Sequence, residues 1–453
     1  MAWTRASRDR QMTALVRMSV VAAITLAIAG VEGAAQRPGR VPVKRSMMDS
    51  VAQQYVRLVL ALGEHDSDYV DAYYGPPEWK QQAAAERLDL AAIGDRAARL
   101  RKELQGAKPP ASGDELPRLR FEYLDRQLSA LQARVRMLKG ERLSFDEESR
   151  ALYDAVAPTN PESHFKVILD QLDGRFHAKG TLLERYDAWR RSFVIPRERL
   201  DTVFKAAIDA CRERTLAHVS LPGEERFTVE YVTKKPWSGY NWYQGNFRSL
   251  IQVNTDLPIF IDRAIDLACH EGYPGHHVYN ALLEKHLVKD RGWIEFTVYP
   301  LFSPQSLIAE GTANFGIEVA FPGKDRVAFE QSRLFPLAGL DASRAQEYYD
   351  VQMLVDKLSY AGNEAARRYL NGDIGRDAAV AWLEQYALMS HDRAAQRAQF
   401  FDRYRSYVIN YNLGKDMVRA YIESRGGTAD NPGKRWQEFE RLLSSPRLPS
   451  GLR

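Results

Sequence analysis

Between about residues 47 and 220 the apolar side chains recur at the three-and-four spacing of helices, in long runs rich in Ala, Leu, Arg and Glu. The clearest run is 116–139, where Pro117 falls in a first turn that tolerates its missing amide and Lys108-Pro-Pro-Ala-Ser-Gly-Asp114 reads as the preceding loop. The texture changes near residue 222. Arg226-Phe-Thr-Val-Glu-Tyr-Val-Thr233 and Ser249-Leu-Ile-Gln-Val-Asn254 have the β-branched and aromatic content of strands, separated by the aromatic stretch 237–247. From Pro258 helical spacing returns and continues to the end. The pattern predicts a mostly α protein with a small β element. Its N-terminal helical region is 36–220; the region 221–453 holds the β element (226–254), helices at 258–320 and C-terminal helices (321–453). No linker divides the two, so one compact unit is expected.

The amino terminus breaks this pattern. Arg5, Arg8, Arg10 and Arg17 precede an apolar run at 19–31, and the small residues Gly33, Ala34 and Ala35 offer a cleavage point, so 1–35 reads as a signal peptide. The run is short of the roughly 20 residues a membrane span needs, and no span is expected in the mature chain. Removing 1–35 takes away four arginines and two acids, Asp9 and Glu32, and lowers the formal net charge of +4 by two. Export to a bacterial periplasm is the expected location. Lysines and arginines are interspersed with acids throughout, which argues against a nucleic-acid partner. The 453 residues, 45% of them hydrophobic, suffice for a large core and an enclosed cleft. Export permits disulfides, yet only Cys211 and Cys269 are present. Cys269 suits a helix better as a small buried apolar side chain, and a bridge between the two is not expected.

Candidate chemistry is concentrated in His270-Glu-Gly-Tyr-Pro-Gly-His-His277, which holds three of the chain's nine histidines. Zinc takes imidazole and carboxylate ligands and keeps a position for water, which a neighbouring glutamate can deprotonate. The histidines lie at i, i+6 and i+7, about 9 to 10.5 Å apart along a straight helix, too far for one ion. Gly272, Pro274 and Gly275 supply the break that an unbroken helix lacks. The expectation is a helix over about 259–271, a sharp turn, and a second helix from about His276. His270 and either His276 or His277 are then the ligands, with Glu271 as base. A third ligand is sought in Ser303-Pro-Gln-Ser-Leu-Ile-Ala-Glu-Gly-Thr-Ala-Asn-Phe-Gly-Ile-Glu318, where Glu310, Asn314 and Glu318 share a helical face. Small neighbours of Glu310 favour close approach to another helix. Asp266 is a candidate to orient His270.

These residues resemble the domain of unknown function 885 family, largely helical and often exported bacterial proteins regarded as zinc metallopeptidases. The likeness rests on H-E-x-x-P-G-H-H followed by a Glu-Gly helix. The family's helix commonly reads E-G-W-A-x-Y-x-E; here Thr312 replaces the tryptophan, Phe315 stands at the aromatic position and the second glutamate falls one residue later, so Glu310 alone carries over. Tyr411-Asn-Leu-Gly414 is similar to the family's Tyr-x-x-Gly element, although Tyr407-Val-Ile-Asn410 stands where Pro-Gly-Gln usually precedes it. An H-E-x-G-H pattern in thermostable zinc carboxypeptidases is also similar and favours His276 over His277.

The resemblance implies a large multi-helical, metallopeptidase-like fold around a deep cleft, a Zn²⁺ cofactor and a peptide substrate. His270, His276 and Glu310 would be the ligands, Glu271 the general base and Tyr411 an oxyanion donor. The strand at 249–254 could take substrate backbone by strand addition, or be a short hairpin capping a helical core. Tyr240, Trp242 and Tyr243 could line a substrate cleft, although aromatic residues more often simply pack. The alternative to a hydrolase is a non-catalytic metal- or peptide-binding envelope protein.

Overall fold

Ser46 opens the first helix, Met47–Gly63, by accepting the Asp49 amide on its hydroxyl at 3.1 Å. Val51, Tyr55, Val56, Val59 and Leu62 on this helix are fully buried. It packs against helices Leu90–Gly106 and Glu115–Leu138. The computed structural model describes residues 46–107 and 115–452. The signal peptide expected at 1–35 and the loop expected at 108–114 lie outside the described residues.

The protein is mostly α-helical, with two small sheets. Strand β1 (Val70–Tyr73) runs antiparallel to a later strand, Val298–Pro300. The second sheet contains β2 (Arg226–Val232), β3 (Gly239–Gly245) and β4 (Arg248–Asn254), in the order β2-β4-β3, with β2 parallel and β3 antiparallel to β4. The aromatic stretch 237–247, read above as a connection, supplies β3. Its alternation was present in the sequence: Asn241 and Tyr243 are buried while Trp242 and Gln244 face out. Because β4 is paired on both sides, strand addition at 249–254 is closed; the sheet's edges are β2 and β3.

From Arg45 onward the chain is one compact unit. The buried Arg120 donates to Glu295 at 2.6 Å and to Asp49 at 2.8 Å, and Tyr123 donates to Gln305 at 2.6 Å. The Arg120 bonds tie the helix Glu115–Leu138 to the turn Ile294–Thr297 and to the first helix, and the Tyr123 bond ties it to the first turn of the helix Pro304–Ala320. In that second helix every residue except Asn314 and Glu318 is buried, the mark of a core helix. Its neighbour is the helix Ile409–Ser424. A Cβ on Gly311 would lie 2.5 Å from the backbone of Gly414, and one on Gly414 would lie 2.7 Å from the Leu307 carbonyl oxygen, so the two backbones touch with no side chain between them. Among the described residues no helix is long and apolar enough to cross a membrane.

Candidate metal centre

The α-helix Asp262–Leu267 widens into a π turn, Ala268–Gly272, breaks, and restarts as His276–Leu283. The expected helix 259–271 is thus shorter in its α part, and the break falls at the Gly-Pro-Gly positions that suggested it. The Gly275 amide donates to the Cys269 carbonyl at 2.9 Å, folding the chain back on the π turn. A Cβ on Gly275 would sit 1.9 Å from the His270 carbonyl oxygen, so only glycine fits there. This fold-back brings together imidazoles that a straight helix would separate; the rings of His270 and His276 are 4.7 Å apart and perpendicular.

The turn is fastened by a disulfide between Cys211 and Cys269, with Cα atoms 5.7 Å apart, which corrects the expectation that they do not pair. The helix Leu200–Leu216 packs on the π turn and brings the two together. The burial of Cys269 was legible; a partner 58 residues away carries no periodic signal.

Glu310 Oε2 lies 3.3 Å from His270 Nε2 and 3.8 Å from His276 Nε2. One ligand atom from each of the three residues falls within 4.8 Å of the others. Glu310 Oε1 accepts the Tyr407 hydroxyl at 2.8 Å, whereas Oε2 is buried and accepts no hydrogen bond among the described residues. An unsatisfied buried carboxylate oxygen is costly, and a cation between it and the two imidazoles would remove that cost. His270 Nδ1 faces Asn314 Oδ1 at 3.2 Å, and Asn314 Nδ2 donates to the Tyr411 carbonyl at 3.2 Å. That second bond orients the amide, so Asn314 accepts from Nδ1–H and turns Nε2 toward Glu310; against the effect of burial, Glu310 and Glu271 raise His270 above its ordinary value, the pull that a cation at Nε2 would answer in place of a proton. Burial pushes His276 down to about 4, against the pull of Glu310, so its imidazole is neutral and free to ligate at neutral pH. Two imidazoles and a carboxylate are a donor set that fits zinc.

Asp266 does not orient His270. It pairs with Arg263 at 3.1 Å and Arg326 at 2.8 Å, because the π turn rotates His270 off the face that a regular helix would share with Asp266. Asn314, one turn from Glu310, faces His270 instead, while Glu318 is drawn off to Lys415 and Arg419. Tyr407, whose role sequence reasoning missed, stands four residues before Tyr411, and that spacing was the available signal. Tyr407→Phe is expected to lower metal affinity about 10- to 100-fold by freeing the Glu310 carboxylate, as read by competition with a chromogenic chelator.

His277 points away from this cluster and is fully buried. Its Nδ1 lies 2.9 Å from Ser249 Oγ and its Nε2 3.0 Å from Glu225 Oε2. Tyr273 and Arg212 also donate to Glu225, at 2.5 and 2.8 Å. Burial alone would raise the Glu225 carboxyl, but the bonds from His277, Tyr273 and Arg212 outweigh it and hold the group down at about 2. A depressed carboxyl contributes stability that is present above its ordinary value of 4.5 and is lost as pH falls toward 2. Acid unfolding followed by circular dichroism should therefore show a loss of stability across that window, flattened in Glu225→Gln.

Glu271 is buried beside β3. Its carbonyl accepts Asn241 Nδ2 at 2.7 Å, and a Cβ on Gly239 would come within 2.7 Å of its Oε1, so the strand passes flush against the carboxylate. Burial raises the carboxyl to about 7; His270 pulls it down and Glu310 pushes it up. A carboxyl poised there can both take and return a proton near neutrality. Tyr411 is held well above its ordinary value by burial and the nearby Glu310, so its phenol keeps its proton, and the Arg397 guanidinium lies 5.6 Å from its ring centre. Asp71 on β1, which belongs to no motif, accepts the Tyr240 hydroxyl and is raised to about 8 by burial, Glu310 and Glu271.

No family model matches the chain, and no curated protein matches it. Among solved structures it is similar to a protein described as a lipoprotein from Colwellia psychrerythraea, with a TM-score of 0.47 and 14% identity over 84% of this chain and 76% of the other. It is also similar to a protein called CHT, with a TM-score of 0.44 and 11% identity over 88% of this chain and 90% of that one. An M32 carboxypeptidase from Deinococcus radiodurans R1 gives a TM-score of 0.35 and 14% identity over 87% and 88%.

Proposed function

We propose that this protein is an exported zinc metallopeptidase, related to the domain of unknown function 885 family, that cleaves peptide or similar amide bonds with His270, His276 and Glu310 as metal ligands. The observation that carries this reading is the convergence of two imidazole nitrogens and an otherwise unpartnered carboxylate oxygen beside a buried glutamate. A Zn²⁺ held by His270, His276 and Glu310 would supply Lewis acidity, polarising the scissile carbonyl and acidifying water. Glu271 would accept a water's proton and return it to the leaving nitrogen, a role that suits a carboxyl raised to about 7. Tyr411, protonated and near enough to feel the charges of Glu310 and Glu271, would donate a hydrogen bond to the charge that develops on the carbonyl oxygen. Asn314 and Tyr407 hold the ligands in place from behind. Export is supported by the Arg-rich, apolar amino-terminal pattern and by the disulfide, which needs an oxidising compartment.

Metal analysis of the mature protein is expected to give about one Zn²⁺ per chain under zinc-replete conditions. His276→Ala should empty the site. His277→Ala should keep the metal and lose stability, by about 1–3 kcal/mol for the bond taken from buried Glu225. A mixed peptide library digested by the mature protein and read by mass spectrometry tests the reaction. Cleavage that disappears with a chelator and returns with zinc is expected; full zinc occupancy with no cleavage of any peptide would leave a metal-binding protein instead.

A further inference from the structure

The helix His391–Tyr404 carries Arg393 and Arg397 one turn apart, so both guanidiniums project from the same face. Among the described residues neither has a carboxylate within the 4.0 Å of an ion pair. Arg397 Nε is buried without an acceptor, its guanidinium lies over the rings of Phe400 and Tyr411, and its charge is felt by Glu310. Arg393 makes one long bond, to Ser238 Oγ at 3.4 Å. It lines a small, half-open cleft together with Ser238, Leu267 and Arg263. Ser238 precedes Gly239, and Gly239 lies against both Leu267 and the Glu271 carboxylate, so the Ser238–Leu267 wall of this cleft borders the proposed base. Arg263 faces the same way: its charge acts on His270 and Glu271.

Such an arrangement is unfavourable as it stands. Like charges at i, i+4 repel, and the aromatic rings beside the buried Arg397 guanidinium leave its Nε without an acceptor and its charge without a counter-ion. Burial and the charges of Arg263, Arg190 and Arg397 bring Arg393 down to about 10, against the pull of Asp262. Guanidinium is the side chain best shaped to take a carboxylate by two parallel bonds, and a carboxylate here would answer both the charge and the empty donors.

We propose that Arg393 and Arg397, faced by Arg263, bind a carboxylate of the peptide substrate on the Glu271 side of the metal centre, so that cleavage falls next to an anionic group. The inference rests on the peptidase reading. The carboxylate has two sources, the free C-terminus of a peptide or an Asp or Glu side chain, and the same pair of arginines serves either.

The test uses full-length mature Glu271→Gln protein loaded with zinc, so that ligands are not consumed. Calorimetry compares acetyl-Ala-Ala-Phe with a free terminal acid, the same peptide as its amide, and acetyl-Ala-Glu-Phe amide. The free acid, the glutamyl amide, or both are expected to bind on the order of 10- to 100-fold more tightly than the plain amide. Preference for the free acid alone assigns the pocket to the chain terminus; preference for the glutamyl amide assigns it to an acidic side chain. Replacing Arg393 and Arg397 by Gln should abolish the preference, and Arg393→Lys should keep part of it. This ratio is read within one protein preparation, so a partly misfolded variant does not alter it. Equal binding of all three peptides, no binding of any, or a preference that survives loss of both arginines overturns the proposal. If the parent hydrolyses no peptide while the preference for a carboxylate remains, the peptidase reading falls and the carboxylate pocket stands.

Discussion

Glu271→Gln is expected to keep zinc in place and to slow peptide hydrolysis by on the order of 10² to 10⁴, the usual contribution of a positioned proton acceptor. Glutamine has the size and hydrogen-bonding outline of glutamate, and the contact that fixes residue 271 to β3, from Asn241, is made through the backbone carbonyl and survives the change. The proposed ligands His270, His276 and Glu310 are untouched. In the wild type, activity should fall as pH drops through the pKa of the Glu271 carboxyl, since the protonated acid cannot accept from water. Burial places that carboxyl at about 7 in the metal-free protein, and a cation alongside pulls it lower, so the acid limb of the rate profile belongs below 7. There is also a stability signature. A carboxyl raised above its ordinary value of 4.5 costs stability once pH exceeds that value, fully so above about 7, and the glutamine variant escapes this cost. Metal-free Glu271→Gln should therefore melt higher than the metal-free parent at pH 8 and alike at pH 4. A variant that cleaves as fast as the parent would remove Glu271 from the reaction.

Replacing Cys211 and Cys269 by alanine is expected to cost about 4 kcal/mol, the chain entropy of opening a loop that spans a sequence separation of 58. For a unit of about 400 residues, whose unfolding entropy is roughly 2.1 cal/mol/K per residue, that corresponds to a fall of about 5 °C in Tm. The position of the bridge makes a second effect follow. Cys269 adjoins His270 and lies in the turn that Gly275 folds back upon, so loosening it releases one ligand from its register with the other two. Zinc affinity should fall together with Tm, and mild reduction of the parent should reproduce both. Differential scanning calorimetry with a zinc-competition titration checks the pair of effects; a drop in Tm with unchanged affinity would make the bridge a general clamp with no part in shaping the site.

Much of this centre could be read before any coordinates. Three ligand-type residues with a breaker between them define a compact constellation, and the expected helix break fell where glycine and proline put it. The small residues around Glu310 foretold the close helix contact. What could not be read were relationships that no local spacing encodes. A π turn changes which residues share a face, so the i, i+4 relation of Asp266 to His270 dissolved and Asn314, on a separate helix, stood in its place. The Cys211–Cys269 pairing, the Tyr407 hydroxyl on Glu310 and the Asp71–Tyr240 contact each join segments far apart in the chain. Strand β3 was hidden for another reason: its residues alternate, but their bulk suggested a lining rather than an edge. His277 is the instructive case of the reverse kind. In sequence it is as good a ligand as its neighbour, and only the direction in which one step of helix turns it, toward Ser249 and Glu225, separates the two.

The meeting of Gly311 and Gly414 bears on how this chain can drift. Most core contacts tolerate exchange, a larger residue on one side being offset by a smaller one on the other. At this crossing both partners are already the smallest residue there is, and the nearest atoms to an added methyl group are backbone. No second change elsewhere in the pair can compensate, so substitutions there are one-way losses. A glycine directly after a buried glutamate on one helix, matched by a Tyr-x-x-Gly on another, is therefore a two-position signature with a steric reason behind it. Searched for as a pair in other chains, it should pick out shared architecture at levels of divergence where overall identity says little.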